Sequence, residues 1–330
     1  MELKIAVSST HKEFRPYGDI LAQRGYSINY MDGLMDGEQS LIKTMAGYNA
    51  IIAFGEYFTK TVFAALKWRL KLICRFGLGY EKVDLAAAAA GVCVTNTAGT
   101  MADSVAELSV LLMLECCRRV AKQDGKMQKG IWELGFQGSQ LSGKTVGLIG
   151  FGNISQRLAR ICRGFGCDVI AYDIAFNETA AAQIGVAKAA LDEIASKSDF
   201  ISMNVPLSPS SRHMVDGNFL RKMKKSAYLV NTSRGPTVDE QALIAALDNG
   251  VIAGAALDVF ETEPLEAESR LRGRDNVILT PHYASFTREA YMETITDIAE
   301  TLDAFSSGAV PKHCLDPDYV NNYSNNKANQ

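Results

Sequence analysis

The sequence predicts an α/β protein built of two doubly wound, parallel-sheet units with a ligand cleft between them. Three observations predict it. Short β-rich apolar runs alternate with amphipathic helical patterns almost throughout, which specifies parallel strands joined by helical crossovers. The chain has 330 residues, and at about 150 residues per domain that is roughly two domains. A glycine-rich strand-to-helix turn near the middle opens a second alternating series.

In the first hundred residues the strand patterns lie at 3–7, 26–30, 50–54, 72–76 and 92–95. Helical patterns fit between them at 14–24, 39–46, 59–69 and 84–90. The last of these starts at Asp84, a good N-cap, and stops at Gly91, a good residue just past a helix. One long helix is expected over 103–127, with apolar residues at 105, 108, 111 and 112 and a Glu where the pattern next wants an apolar residue, at 115. The second series has strands at 145–149, 168–172, 200–205, 227–231, 253–257 and 277–279. Its helices fall at 153–164, 177–184, 191–197, 216–224 and 238–249. A final amphipathic helix covers 286–305, and the Asn-rich tail from 319 is expected to fray. The domains expected are 1–100 together with 286–330, and 101–285.

Composition narrows the function. Apolar residues make up 47% and charged residues 22%, which excludes disorder as the main state, collagen-like repeats and disulfide scaffolds. Lys+Arg 34 against Asp+Glu 37 gives a net charge of −3, so nothing attracts nucleic acid or anionic lipid. The seven cysteines contain no C-x-x-C pair and sit in apolar stretches, as buried reduced thiols of a cytoplasmic protein do. MELKIAVSS does not read as a signal peptide, and the longest apolar run, 85–94, cannot span a bilayer.

Residues 144–173 carry the strongest motif. The strand 145–149 runs into Gly150-Phe151-Gly152-Asn153-Ile154-Ser155, a helix follows, then a second strand closed by Asp173. Gly150 permits the tight turn, Gly152 lets the backbone approach a pyrophosphate, and the helix N-terminus at Asn153 and Ile154 offers N–H groups and positive dipole. Asp173 stands where a carboxylate accepts from a ribose 2′-OH, which predicts NAD over NADP. Ser155 departs from the Gly or Ala expected for helix–strand packing. A second glycine pair, Gly77-Leu78-Gly79, lacks the correctly spaced acid and should serve another purpose.

Ligands of open α/β sheets bind beyond the carboxyl ends of the strands. There the second series places Arg234 in NTSRGP, Asp258 in ALDVF, Glu263 in ETEP and His282 in TPHYAS. Hydride transfer at a secondary alcohol needs such a set. An imidazole takes or gives the hydroxyl proton, a carboxylate orients it, and Arg binds a substrate carboxylate and polarises the carbonyl. His11, His213 and His313 have no comparable setting and are expected on the surface. No cluster has metal-ligand spacing.

The motifs FGLGYEKVDLAAAAAGVCVTNTAG, TMADSVAELSVLLML, GKTVGLIGFGNISQRLA, MNVPLSPSSRHMV, KKSAYLVNTSRGPTVDEQAL, GAALDVFETEPL and NVILTPHYAS run in order along the chain. Through them it resembles the D-isomer-specific 2-hydroxyacid dehydrogenases over nearly its whole length. The resemblance implies two Rossmann-like domains, NAD as cofactor, and a catalytic set of Arg234, Glu263 and His282 with Asp258 near the nicotinamide. It implies that Ser104 and Thr232 contribute to the cofactor site and that Val205 and Pro206 line the adenine pocket. The loop bearing Leu78 and Gly79 becomes the cradle of the substrate carboxylate. Arg75, just before it, could meet a substrate phosphate, as in the phosphoglycerate dehydrogenase branch, or pair with a nearby carboxylate. The substrates implied are therefore 3-phosphoglycerate or hydroxypyruvate/glyoxylate. The resemblance further implies a final helix returning to the first domain and a homodimer formed through 101–125. A non-enzyme reading on the same scaffold is a corepressor that binds NAD(H) as a ligand.

Overall fold

In the computed structural model, residues 2–8, 14–31, 37–88, 91–316 and 319 are described. The expectations for His11, for the end of the 84–90 helix and for the Asn-rich tail beyond 319 lie outside them. The chain divides into two compact units, Met1–Met101 with Thr287–Gln330, and Ala102–Phe286.

The first unit is a five-stranded parallel sheet. Its strands are β1 (Ile5–Val7), β2 (Ile28–Tyr30), β3 (Ala50–Ala53), β4 (Leu72–Arg75) and β5 (Cys93–Thr95), in the order β2-β1-β3-β4-β5. Four of these strands are buried on both faces, which is why they read as continuous apolar runs without alternation. The helices α1 (Arg15–Gln23), α2 (Glu38–Met45), α3 (Lys60–Leu66) and α4 (Leu85–Ala88) connect them. Asp84 caps α4 through its Oδ1, which accepts the Ala87 N–H at 3.0 Å. One face is covered by α12 (Arg288–Ser306), whose Ile295, Ile298 and Leu302 pack with Ile5, Val7 and Leu21.

The second unit is a seven-stranded parallel sheet. It comprises β6 (Thr145–Ile149), β7 (Asp168–Tyr172), β8 (Ala187–Lys188), β9 (Phe200–Met203), β10 (Tyr228–Asn231), β11 (Gly254–Leu257) and β12 (Val277–Leu279). The order is β12-β11-β10-β9-β6-β7-β8. The strand order reverses beside β6, and the crevice at such a reversal is where ligands bind in open sheets. The crossover helices are α7 (Asn153–Gly164), α8 (Glu178–Ile184), α9 (Leu191–Lys197), α10 (Gly217–Lys222) and α11 (Glu240–Asp248). The two-residue edge strand β8 was not expected, because Ala187 and Lys188 are exposed and carry no apolar signal.

The long helix expected over 103–127 is two helices, α5 (Ala102–Arg118) and α6 (Val120–Met127), separated by Arg119 in the left-handed region at φ 51°. The reason lies in the residue that broke the apolar pattern. The Glu115 carboxylate accepts the N–H groups of Val120 and Ala121 at 2.9 and 3.1 Å, satisfying donors at the start of α6. The Ser139 N–H takes the Cys117 carbonyl, and the Arg119 guanidinium sits 4.1 Å from the centre of the Phe136 ring. Among the described residues no helix is long and apolar enough to cross a membrane.

Candidate active site

The glycine turn at 150–155 has the form the sequence predicts, and each glycine has its own reason. Gly150 has φ +96°, and a Cβ there would lie 2.5 Å from the Asn204 carbonyl oxygen. Both conformation and the close passage of the segment after β9 require glycine. Gly152 is different. A Cβ there would meet nothing within 4 Å, and its backbone is extended with φ −81° and ψ −162°. Folding does not demand glycine at 152; a ligand pressed against the backbone would. No side chain caps α7 at Gly152, and Gly152 and Asn153 are exposed while Ile154 is half-buried. These features fit a pyrophosphate at the helix N-terminus.

The departure at Ser155 is accommodated within the fold. Its side chain is fully buried, and Oγ donates to the Gly150 carbonyl at 2.6 Å. The hydroxyl thus pins the turn it belongs to. Asp173 accepts the Phe151 N–H at 2.6 Å and the Ala175 N–H at 2.7 Å. The carboxylate is held beside the glycine turn, with exposed Ile174 and Ala175 after it. Val205 is half-buried and Pro206 exposed just past β9.

Beyond β10, β11 and β12 the remaining set comes together. His282 Nδ1 lies 2.7 Å from Glu263 Oε2, and Glu263 Oε1 accepts the Phe260 N–H at 3.0 Å. His282 has φ 51°, an uncommon conformation for any residue but glycine, although His tolerates it better than most. Burial pushes the Glu263 carboxyl up, but the His282 hydrogen bond and charge, the Phe260 N–H and the Arg234 charge together hold it below the ordinary carboxylate range. Arg234 is half-buried, and its Nη1 donates to the Ser233 carbonyl at 2.7 Å.

Several supports were not legible in the sequence. The Arg234 carbonyl accepts from Asn231 Nδ2 at 3.0 Å and from Thr237 Oγ1 at 2.7 Å, which fixes the turn into the 3-10 segment Gly235–Thr237. Gly235 packs directly on the Phe260–Glu261 peptide, so a Cβ there would strike it. Asp258, with no exposed surface, accepts from Thr280 Oγ1 at 2.6 Å and from the N–H groups of Tyr283 and Ala284 at 3.0 Å each. It therefore grips the loop that carries His282. Ser104 Oγ on α5 donates to the Ala284 carbonyl at 2.5 Å, and Thr232 Oγ1 lies 2.9 Å from Ser109 Oγ. The four residues Asn231, Thr237, Gly235 and Thr280 carry no chemistry of their own, and only turn geometry gives them away.

In the first unit, the loop after β4 is tied by its carbonyls. Gly77 O accepts the Thr97 N–H at 3.2 Å, Leu78 O accepts Asn96 Nδ2 at 2.9 Å, and Gly79 O accepts Arg75 Nε at 3.2 Å. The Gly77 N–H donates to Thr97 Oγ1 at 2.9 Å, and its φ of +124° requires glycine. Arg75 is 7% exposed. Its guanidinium therefore lies under the loop it braces.

One expectation about the other histidines needs correction. His313 is only 19% exposed, with Nε2 3.4 Å from Asp297 Oδ1, because the segment after α12 folds back on that helix. His213 does stand at the surface, its side chain 39% exposed with Nε2 2.8 Å from Glu261 Oε1. All seven cysteines are free, six of them buried and Cys314 half-buried. Among the described residues no group of three or more His, Cys, Asp or Glu could hold a metal.

The sequence profile described as "D-isomer specific 2-hydroxyacid dehydrogenase, NAD binding domain" matches residues 110–284. The chain belongs to this family. It is 43% identical over 237 residues to a hydroxypyruvate reductase of Thermotoga maritima, covering 71% of this chain and 76% of that one. It is 36% identical over 258 residues to a glyoxylate reductase of Korarchaeum cryptofilum, covering 76% and 78%. The apo-structure of D-lactate dehydrogenase from Escherichia coli superposes with a TM-score of 0.86 at 31% identity, over 95% of this chain and all of that one. Membership makes the chain an NAD-dependent oxidoreductase acting on the CH–OH group of a small 2-hydroxy acid.

Proposed function

We propose that this chain interconverts a small, unphosphorylated 2-oxo acid of the glyoxylate or hydroxypyruvate class and its 2-hydroxy acid, with NADH as reductant. One observation carries the choice within the family: Arg75 is buried with its Nε on the Gly79 carbonyl, which is the placement of a loop brace. The relatives named glyoxylate and hydroxypyruvate reductase support the same class.

Bound NADH would supply the hydride; Gly150, Gly152, Asn153 and Ile154 would hold its pyrophosphate and Asp173 its ribose, with Val205 and Pro206 beside the adenine. Asp258, Ser104 and Thr232 serve that site from behind, by fixing the 280–284 loop and the turn at 232. His282 is the acid/base. With Nδ1–H donated to Glu263, its Nε2 gives a proton to the substrate oxygen in reduction and takes it back in oxidation. Glu263 selects that tautomer and holds the ring in place. Arg234 binds the substrate carboxylate and polarises the carbonyl. In the first unit the N–H groups of Leu78 and Gly79 are left to a substrate carboxylate, their carbonyls being already committed.

A homodimer fits the surface of the second unit. Leu111, Val120, Met127, Trp132 and Leu134 are half to nine-tenths exposed along residues 111–134, and exposed apolar side chains of this kind suit a protein–protein contact. Seven free thiols suit a cytoplasmic setting. The test of the activity is NADH consumption with glyoxylate, hydroxypyruvate, pyruvate and 3-phosphohydroxypyruvate. Preference for the phosphorylated acid would overturn the substrate assignment, and no turnover with any would overturn the site.

A further inference from the structure

The segment after α12 adds an antiparallel edge to the first sheet. Thr95 and Cys314 form a β-bridge, the Leu315 N–H donates to the Val94 carbonyl at 2.8 Å and the Asn96 N–H to the His313 carbonyl at 3.4 Å. Side chains alternate along a strand, so Cys93, two residues before Thr95, shares a face with Cys314 on the diagonal. Their sulfurs are 3.8 Å apart, the Cys93 thiol donating to Cys314. We propose that Cys93 and Cys314 form a thiol–disulfide site, oxidised by a hydroperoxide, that tightens the C-terminal segment onto the strand bracing the substrate loop.

The two thiols differ as an attacking and a resolving cysteine should. Cys314 is half-buried, and the hydrogen bond from Cys93 brings its thiol down to about 7 against the opposing effects of burial and the Asp316 carboxylate. Cys93 is buried and pushed up by the same pairing. Cys74, Cys116 and Cys162 are poor nucleophiles, since burial drives their thiols to about 12. In the first step the Cys314 thiolate attacks the peroxide, an S–O bond forms, the O–O bond breaks and the leaving oxygen departs protonated. In the second, Cys93 sulfur attacks the sulfenic acid, the S–S bond forms, and the S–O bond breaks with loss of water carrying the Cys93 proton. Two thiols are oxidised by two electrons, and one hydroperoxide is reduced. A disulfide needs an S–S separation near 2.05 Å, so the sulfurs must close by about 1.8 Å.

That movement has a path to function, on the reading that Leu78 and Gly79 hold the substrate carboxylate. Asn96, which donates to Leu78 O, and Thr97, which holds Gly77, directly follow the strand the segment would be drawn against. Ångström-scale displacement of a binding loop can cost up to about 10²-fold.

The experiment treats the reduced full-length protein with hydrogen peroxide and follows free thiols, linked peptides and kinetics. The thiol count should fall from seven to five, with a Cys93–Cys314 peptide recovered and reversed by dithiothreitol. In Cys93→Ser, Cys314 should stop at a sulfenic acid trapped by dimedone; Cys314→Ser should lose no thiol on the same time scale. The oxidised wild type should show KM for hydroxypyruvate changed about threefold or more with NADH affinity unchanged. Oxidation of Cys314 without linkage to Cys93, or a different pair linking first, overturns the site. A disulfide that leaves KM unmoved overturns its link to the substrate loop. The untreated sample reports separately whether the proposed activity exists.

Discussion

Replacing Gly235 by alanine places one methyl group where the protein has no room for it. Gly235 lies outside the left-handed region, so space alone demands glycine there. An ideal Cβ would sit 2.5 Å from the Glu261 N and nearer still to the Phe260 carbonyl. Both partners are backbone and cannot rotate away. Since ordinary contact begins near 3.4 Å and the Phe260 carbonyl lies nearer than the Glu261 N, the 234–237 turn and the 260–263 loop must part by more than about 1 Å. The turn carries Arg234 and the loop carries Glu263, so the separation falls between the proposed substrate anchor and the partner of His282. Overpacking of this kind costs about 1–3 kcal/mol. In a domain of this size each kcal/mol lowers Tm by about 2–4 °C, so a drop of about 2–12 °C is expected. Misplacement near 1 Å should lower kcat/KM by about 10²-fold. NADH fluorescence should report unchanged cofactor affinity, because the glycine turn at 150–155 is elsewhere on the sheet edge. Melting and hydroxypyruvate-dependent NADH oxidation measure both effects. A variant with wild-type Tm and kcat/KM within about threefold of wild type would refute the packing argument.

The other expected outcomes are more direct. Gly152→Ala should leave Tm unchanged, since its Cβ meets nothing, while NADH affinity drops about tenfold or more by calorimetry as the methyl enters the cradle. His282→Ala should lower turnover about 10²–10⁴-fold with NADH binding intact; near-normal turnover would remove the mechanism. The Glu263 carboxyl is held below its ordinary range, so its ionisation stabilises the fold above the unfolded carboxyl value of about 4.3, and that contribution is lost as pH falls through the lower folded value. The Tm difference between wild type and Glu263→Gln should accordingly shrink below about pH 4. In the same variant turnover should fall while NADH affinity holds, because the ring loses the acceptor that orients it. Arg75→Ala should lower kcat/KM for phosphorylated and unphosphorylated 2-oxo acids alike, since the loop loses its brace; selective loss on the phosphorylated acid would restore the phosphate contact.

The sequence alone determined the alternation of strands and helices, because parallel strands buried on both faces must be short apolar runs and their crossovers must be amphipathic. It determined the cofactor class too, since a strand, a two-glycine turn, a helix and a closing acid are all local features. It marked Glu115 as an interruption but not as the cap that splits a helix, because that depends on where the carboxylate folds back. It left Arg75 open between a ligand contact and a structural one; only the tertiary structure buries the guanidinium beneath Gly79. The same holds for Asp258, whose carboxylate is committed to a loop some twenty residues onward, and for Gly235, whose missing side chain makes room for a peptide from the next loop. Pairwise approaches between distant segments leave no periodic signal, and a single chain read in order does not contain them. Cys93 and Cys314, 221 positions apart, become a pair only because the last segment returns to the edge of the first sheet.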